Sequence, residues 1–108
     1  MSIKHLDCTL RDGGYYNAWD FDPGLISAYL KAMAALPVDM IEIGFRSMPG
    51  NIGKFKGGCA YCTDAYIRSL DIPNNGLRLA VMVNGADLLK YPEGLHAAVD
   101  HLFGPAEN

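Results

Sequence analysis

Apolar residues along the chain fall into blocks of two kinds, continuous runs and runs at helical spacing. Ile3 to Leu10 reads as a strand with a polar end. In "DFDPGLISAYLKAMAAL" the apolar positions Leu25, Ile26, Tyr29, Leu30 and Met33 recur at helical spacing and give one apolar face. Asp22 suits the N-cap there, Pro23 suits the first helical position, and Pro37 ends the helix. "DMIEIGF" is an apolar run interrupted by Glu42, which predicts a strand buried on both faces. "TDAYIRSL" predicts a short helix capped by Thr63 or Asp64, and Pro73 to Gly76 a turn. "LRLAVMVN" predicts a third strand, after which Asp87 caps a short turn. A last helix begins near Pro92, carries Leu95, Ala98, Val99, Leu102 and Phe103 on one stripe, and ends at Gly104 and Pro105.

Strand and helix thus alternate three times. That order predicts an α/β chain with parallel strands joined by right-handed crossovers. The segment from Arg46 to Gly58 is rich in Gly, Pro, Asn and Ser and predicts a long loop, a common place for function. There is no internal repeat beyond the alternation, no low-complexity tract and no linker, so residues 1–108 are expected to form one domain or part of one.

Composition narrows the classes of function. Half of the 108 residues are apolar, too many for a disordered chain. The net charge of −3 argues against an electrostatic grip on nucleic acid. No apolar run is long enough to span a bilayer, and the N-terminus lacks a signal-peptide pattern, so the expected location is the cytoplasm. Three cysteines, with Cys8 inside an expected strand, suit reduced thiols better than a disulfide framework. Cys59 and Cys62 make one C-x-x-C pair. A structural zinc site needs two more ligands, and His96 and His101 are spaced for helix faces instead.

In parallel α/β folds, ligands sit at the carboxyl ends of the strands. Those ends offer Arg11–Asp12, Phe45–Arg46 and Asn84, with Glu42 just inside the second strand. Gly13 and Gly14 are expected to turn the backbone there. A buried carboxylate needs a cation, so Asp12 is a candidate metal ligand. Arg11 has the fork that matches a carboxylate, either Glu42 or an anionic substrate. The same residues fit equally well a structural ion-pair set that fixes the sheet. His5 lies at the far end of the first strand and reads as structural.

"DCTLRDGG", Asp7 to Gly14, resembles the D-x-T-L-R-D-G signature of the DRE-TIM metallolyases. This superfamily of pyruvate carboxyltransferase-type barrels includes 4-hydroxy-2-oxovalerate aldolases, hydroxymethylglutaryl-CoA lyase and isopropylmalate synthase. "IEIGFRS", Ile41 to Ser47, resembles its second-strand motif. The resemblance runs along the chain in element order. It implies the first three β/α units of a (β/α)8 TIM barrel, incomplete here, because a whole barrel takes about 250 residues. It also implies a divalent metal ion (Mn2+, Mg2+, Co2+ or Zn2+) ligated by Asp12, and Arg11 stabilising the enolate oxygen of pyruvate. Glu42 would orient Arg11, and Arg46 and Asn84 would contact a 2-oxo acid substrate.

Two departures bear on that expectation. Tyr15 stands where the aldolase branch commonly has a His base. Tyr has a higher unperturbed pKa, which suits walling a pocket better than acting as base. The family's other metal ligands, a His-x-His pair on a late strand, do not occur in these residues. The chain is therefore expected to be the N-terminal part of a barrel, completed by further chain or by an oligomer. A Claisen-type acyl transferase and a non-catalytic α/β module completed by a partner are the alternatives.

Overall fold

The structure, a computed structural model, describes residues 2–48, 57–73 and 76–104. Three parallel strands form an open sheet in the order β1–β2–β3, with β1 at Leu6–Asp7, β2 at Met40–Phe45 and β3 at Arg78–Met82. Six helices accompany them among the described residues: α1 Thr9–Gly13, α2 Pro23–Ala34, α3 Gly58–Tyr61, α4 Asp64–Ser69, α5 Gly85–Leu89 and α6 Leu95–Phe103. A 3-10 turn spans Gly14–Tyr16. The fold is α/β with parallel strands, as the alternation of patterns predicts. No described helix is long and apolar enough to cross a membrane.

The first strand is much shorter than the expected Ile3–Leu10. The Asp7 carboxylate accepts hydrogen bonds from the Thr9 backbone N–H and the Thr9 hydroxyl, both at 3.1 Å. That local bonding diverts the backbone from the ladder, and the Asp12 N–H bonds the Cys8 carbonyl at 2.9 Å. Arg11 and Asp12 therefore lie on a helical turn after β1 rather than on the strand end. Gly13 and Gly14 have φ of −64° and −62°, ordinary helical values, so neither makes the sharp turn expected of it. Gly14 is needed for space instead: a Cβ there would lie 1.9 Å from the Trp19 ring.

Helix α2 follows its sequence signals. Asp22 accepts from the Leu25 N–H at 3.2 Å, and Pro23 opens the helix. Ile26 and Leu30 face inward and meet Ile41 and Ile43 of β2, all at or below 2% exposure, together with Cys59 and Cys62. Because side chains alternate along a strand, Met40 and Glu42 point to the opposite face of the sheet, where burial is only partial. A register shift between Glu42 and Gly44 brings Gly44 opposite Val81 and Phe45 opposite Met82. The shift puts Ile43 and Gly44 both in the interior and re-aims the end of the strand.

Helix α3 has no counterpart in the sequence prediction, which extends the loop from Arg46 through Gly58. It packs so closely that a Cβ on Gly44 would lie 1.9 Å from the Cys59 carbonyl oxygen. Cys62 ends it in the left-handed region, φ 38°. Thr63 caps α4, its hydroxyl accepting from the Tyr66 N–H at 3.1 Å. Asn84, rather than the expected Asp87, caps α5, its Oδ1 accepting from the Ala86 N–H at 3.0 Å. Helix α6 starts at Leu95, after Gly94 with φ 96°, and not at Pro92. Met48, Leu88 and Ala98 form a second small core beneath α5 and α6. The middle of the expected loop after Arg46, two positions of the expected turn at 73–76, and Pro105 lie outside the described residues.

Candidate active site

Two features are linked through Trp19, whose indole N–H bonds the Arg11 carbonyl. The first is an ion pair. Arg11 Nε donates to Glu42 Oε2 at 2.9 Å, joining residues far apart in sequence across the β1–β2 pairing. Their side chains are 19% and 13% exposed, so the pair is largely shielded from water. The hydrogen bond to Glu42 raises the Arg11 guanidinium further above its usual pKa, against the opposing effect of burial. Asp12 lies beside it, 3.6 Å from Arg11 Nη1, with a side chain 72% exposed.

The second feature is a pocket of about 420 Å³ lined by Tyr15, Ala18, Trp19, Phe45, Ser47, Asn84 and Asp87. Its apolar wall is a set of three edge-on rings. Tyr15 and Trp19 have centroids 4.9 Å apart, Trp19 and Phe45 5.2 Å, and Tyr15 and Phe45 6.2 Å. Trp19 is held tightly. Its indole N–H donates to the Arg11 carbonyl at 2.8 Å, and its backbone N–H bonds Gly14 O and Asn17 Oδ1. Ala18 and Trp19 both sit in the left-handed region, φ 56° and 57°. That conformation is costly for residues with a Cβ, and such strain concentrates at functional sites. The Trp19–Arg11 bond ties the pocket wall to the segment that carries the ion pair.

The site residues singled out from the sequence fall in three places. Arg11, Asp12 and Glu42 come together. Tyr15, 63% exposed, and Asn84 line the pocket. Arg46 is 8% exposed and its guanidinium points into protein. It donates to the carbonyls of Cys62 (2.9 Å) and Leu102 (3.2 Å), and to Asp64 Oδ1 at 3.0 Å, and lies 5.0 Å from the Phe103 ring centroid. His5 gives its backbone to Asp39, which is consistent with a structural position. Sequence reasoning left Trp19 out of the site altogether. The signal was present: it is the single Trp of the chain, in an aromatic stretch, "YYNAWDF", just after the motif.

Cys59 and Cys62 are buried in the core and Cys8 is exposed; all three are free thiols. Cys59 Sγ lies 3.4 Å from the Tyr66 hydroxyl, and Cys62 Sγ donates to the Cys59 carbonyl. Burial pushes the Cys62 thiol up to about 12, with Cys59 adding to the rise and Arg46 opposing it. Cys59 is also raised, by burial, with the Tyr66 contact opposing. Both side chains are fully buried within the main core cluster, so the pair is placed as core packing.

The fit of a divalent cation can be judged from the donors present. Among the described residues no three His, Cys, Asp or Glu side chains are grouped to hold one. Asp12 offers one exposed carboxylate, with a guanidinium next to it. These residues could contribute one ligand; they do not by themselves make a metal centre.

No protein-family model and no curated protein matches the chain. Among solved structures, the chain is similar to the crystal structure of the N-terminal domain of "a putative aldolase from Bacteroides vulgatus". The TM-score is 0.77 and the sequence identity 36%, over 95% of this chain and 31% of that one. The chain thus spans about a third of the length of the structure it matches, and its open parallel sheet with flanking helices is an aldolase-like fold.

Proposed function

We propose that the chain is the amino-terminal part of a divalent-metal-dependent aldolase or lyase. In this reading it makes or breaks a carbon–carbon bond next to a 2-oxo acid, through a pyruvate-type enolate. The observation that carries the reading is the Arg11–Glu42 pair, 2.9 Å long, in a chain similar to a domain described as an aldolase. Breaking a C–C bond beside a 2-oxo acid leaves negative charge on the enolate oxygen. A guanidinium already fixed in place stabilises that charge without reorganising at the moment of reaction. Glu42 is a positioning residue: it holds the Nε end of Arg11 and so sets the plane of the fork.

Asp12 would supply one oxygen ligand to a divalent metal ion, whose other ligands would come from outside the described residues, in further barrel units or a partner chain. When bound, the ion supplies Lewis acidity at the 2-oxo group. Tyr15 walls the pocket beside the reacting end, and Asn84 contacts substrate at the rim. Arg46 supports these positions from within the protein. The enzyme belongs in the cytoplasm.

Oxalate, a planar dianion that resembles the pyruvate enolate, tests the reading. Titrated calorimetrically into the full-length protein with Mn2+ present, oxalate binds the parent and binds Arg11→Met at least about tenfold more weakly, a loss of about 1.4 kcal/mol. Mn2+ binding falls in Asp12→Ala. Equal oxalate affinity in parent and Arg11→Met, or no binding to either, refutes the reading. The 108-residue chain alone shows little or no turnover of a 4-hydroxy-2-oxo acid.

A further inference from the structure

Arg11 is held at both ends. Glu42 takes its guanidinium, Nε to Oε2 at 2.9 Å, and Trp19 takes its main chain, the indole N–H donating to the Arg11 carbonyl at 2.8 Å. We propose that Trp19 is a positioning residue for Arg11, and that Gly14 is the residue that admits its ring. The proposal rests on the reading above, in which the Arg11 guanidinium stabilises the enolate oxygen.

Three observations lead there. The first is the weakness of the element that carries Arg11. Helix α1 has five residues, and a helix that short has no stability of its own. Its N-cap residue, Cys8, makes no side-chain capping bond. The direction in which α1 launches the Arg11 side chain therefore depends on contacts from outside the helix. Leu10, 3% exposed, seats α1 on the core. Arg11 lies about 100° further round the helix, and there Trp19 and Glu42 hold it. Trp19 acts at the Arg11 peptide group itself, so a shift of the ring is felt at the root of the side chain.

The second observation is how firmly Trp19 is fixed. It is buried, its ring meets Tyr15 and Phe45 edge-on, and its backbone N–H bonds Gly14 O at 3.0 Å and Asn17 Oδ1 at 3.1 Å. The Ala18 carbonyl accepts from the Gly57 N–H at 3.2 Å, and a Cβ on Gly57 would overlap the Trp19 carbonyl. Ala18 and Trp19 both hold left-handed φ, which residues with a Cβ keep only where their surroundings over-determine it. A ring fixed in this way can transmit a position. The third observation is Gly14. Its φ of −62° suits any residue, yet a Cβ there would lie 1.9 Å from the Trp19 ring. The indole, not the backbone, requires a glycine. At Gly13 a Cβ would meet nothing within 4 Å, so only the second glycine of the motif keeps open the path from the indole to the Arg11 carbonyl.

The test uses the full-length protein with isotopically labelled arginine. Trp19→Phe keeps an aromatic ring beside Tyr15 and Phe45 and removes the N–H donor. The readout is solvent exchange of the Arg11 Nε–H, assigned by its loss in Arg11→Met. The Arg46 Nε–H, bonded to the Cys62 carbonyl at 2.9 Å, is the internal reference. In Trp19→Phe the Arg11 proton should exchange at least about tenfold faster while the Arg46 proton keeps its rate. Equal acceleration of both is general loosening and overturns the proposal, as does an unchanged Arg11 rate. Benzothienylalanine in place of Trp19 has the same fused ring with sulfur where the N–H was, and should also free the Arg11 proton. Parent-like exchange in that variant assigns the effect to packing and overturns the proposal.

Oxalate, titrated with Mn2+ present, reads the consequence. It should bind Trp19→Phe at least about fivefold more weakly than the parent, and the double variant with Arg11→Met no more weakly than Arg11→Met alone. A residue that acts through Arg11 has nothing to act on once that side chain is gone. Parent-like affinity in Trp19→Phe, or additive losses in the double variant, overturns the proposal. Oxalate that fails to distinguish the parent from Arg11→Met removes the aldolase reading; the exchange rates, which use no ligand, then still decide whether Trp19 positions Arg11.

Discussion

Arg46 gives the sharpest test of the structure. Placed at the end of the second strand, it looks from sequence like a substrate contact. The fold surrounds its guanidinium with protein: two backbone carbonyls, the Asp64 carboxylate and the Phe103 ring. These partners belong to the end of α3, to α4 and to α6, so one side chain ties three helices to the exit of β2. Arg46→Met keeps most of the apolar stem and removes the charged fork. Hydrogen bonds to a charged group contribute about 1.5–3 kcal/mol each when their partners stay buried. Asp64, 29% exposed, can regain water, and Leu102 lies near the end of α6, so the full sum is not reached. A loss of about 3 kcal/mol is the reasoned value. For a domain of this size, about 4–8 °C of Tm accompanies each kcal/mol, so the melting point should fall by about 12–24 °C. The assay is thermal unfolding followed by far-UV circular dichroism, with Arg46→Lys between parent and Met. If Arg46→Met melts within about 3 °C of the parent and instead weakens ligand binding, the argument fails and Arg46 is a binding residue.

The remaining predictions concern the core. A thiol reagent at pH 8 should label Cys8 and spare Cys59 and Cys62 until the chain is denatured. Burial raises the Cys62 thiol from its usual 9.0 to about 12, so the native state favours the protonated form. The stability this contributes is whole below pH 9 and is lost as pH climbs from 9 to about 12. Tyr66, pushed up chiefly by burial, acts in the same direction. The urea midpoint should therefore fall across that window, and less steeply in Cys62→Ala; a flat profile in the parent would contradict the burial argument. Gly44→Ala should cost about 2–3 kcal/mol, because its Cβ would meet a backbone carbonyl of α3 rather than a flexible side chain. Gly13→Ala has nothing within 4 Å and ordinary helical φ, so its urea midpoint should hold or rise.

The legible parts of this protein are those whose causes are local. Helix α2 is bounded by Asp22, Pro23 and the apolar spacing through Leu30, all within a few residues of one another. The β2 and β3 runs are continuous enough to be strands in any context. Even the Arg11–Glu42 contact was readable as a possibility, because a parallel pairing of β1 with β2 brings those segments side by side. The failures have causes that reach across the chain or lie in a single short bond. Two hydrogen bonds from Thr9 to Asp7 convert an apparent strand end into a helical turn. Helix α3, built from "GCAY", carries no helical signal of its own and exists because Gly44 leaves room for it.

The sequence by itself determined that this is an α/β chain with an Arg–Asp pair and a Glu delivered to the same region, because periodicity and residue chemistry are written along the backbone. Tertiary structure alone decided what each of those groups faces. It turned Arg46 inward to helix ends, made the C-x-x-C pair into core, and folded Trp19 back onto Arg11 and Phe45 to wall a pocket. The physical reason is that a side chain's chemistry is local, whereas its partners and its burial depend on segments that come together only when the sheet forms.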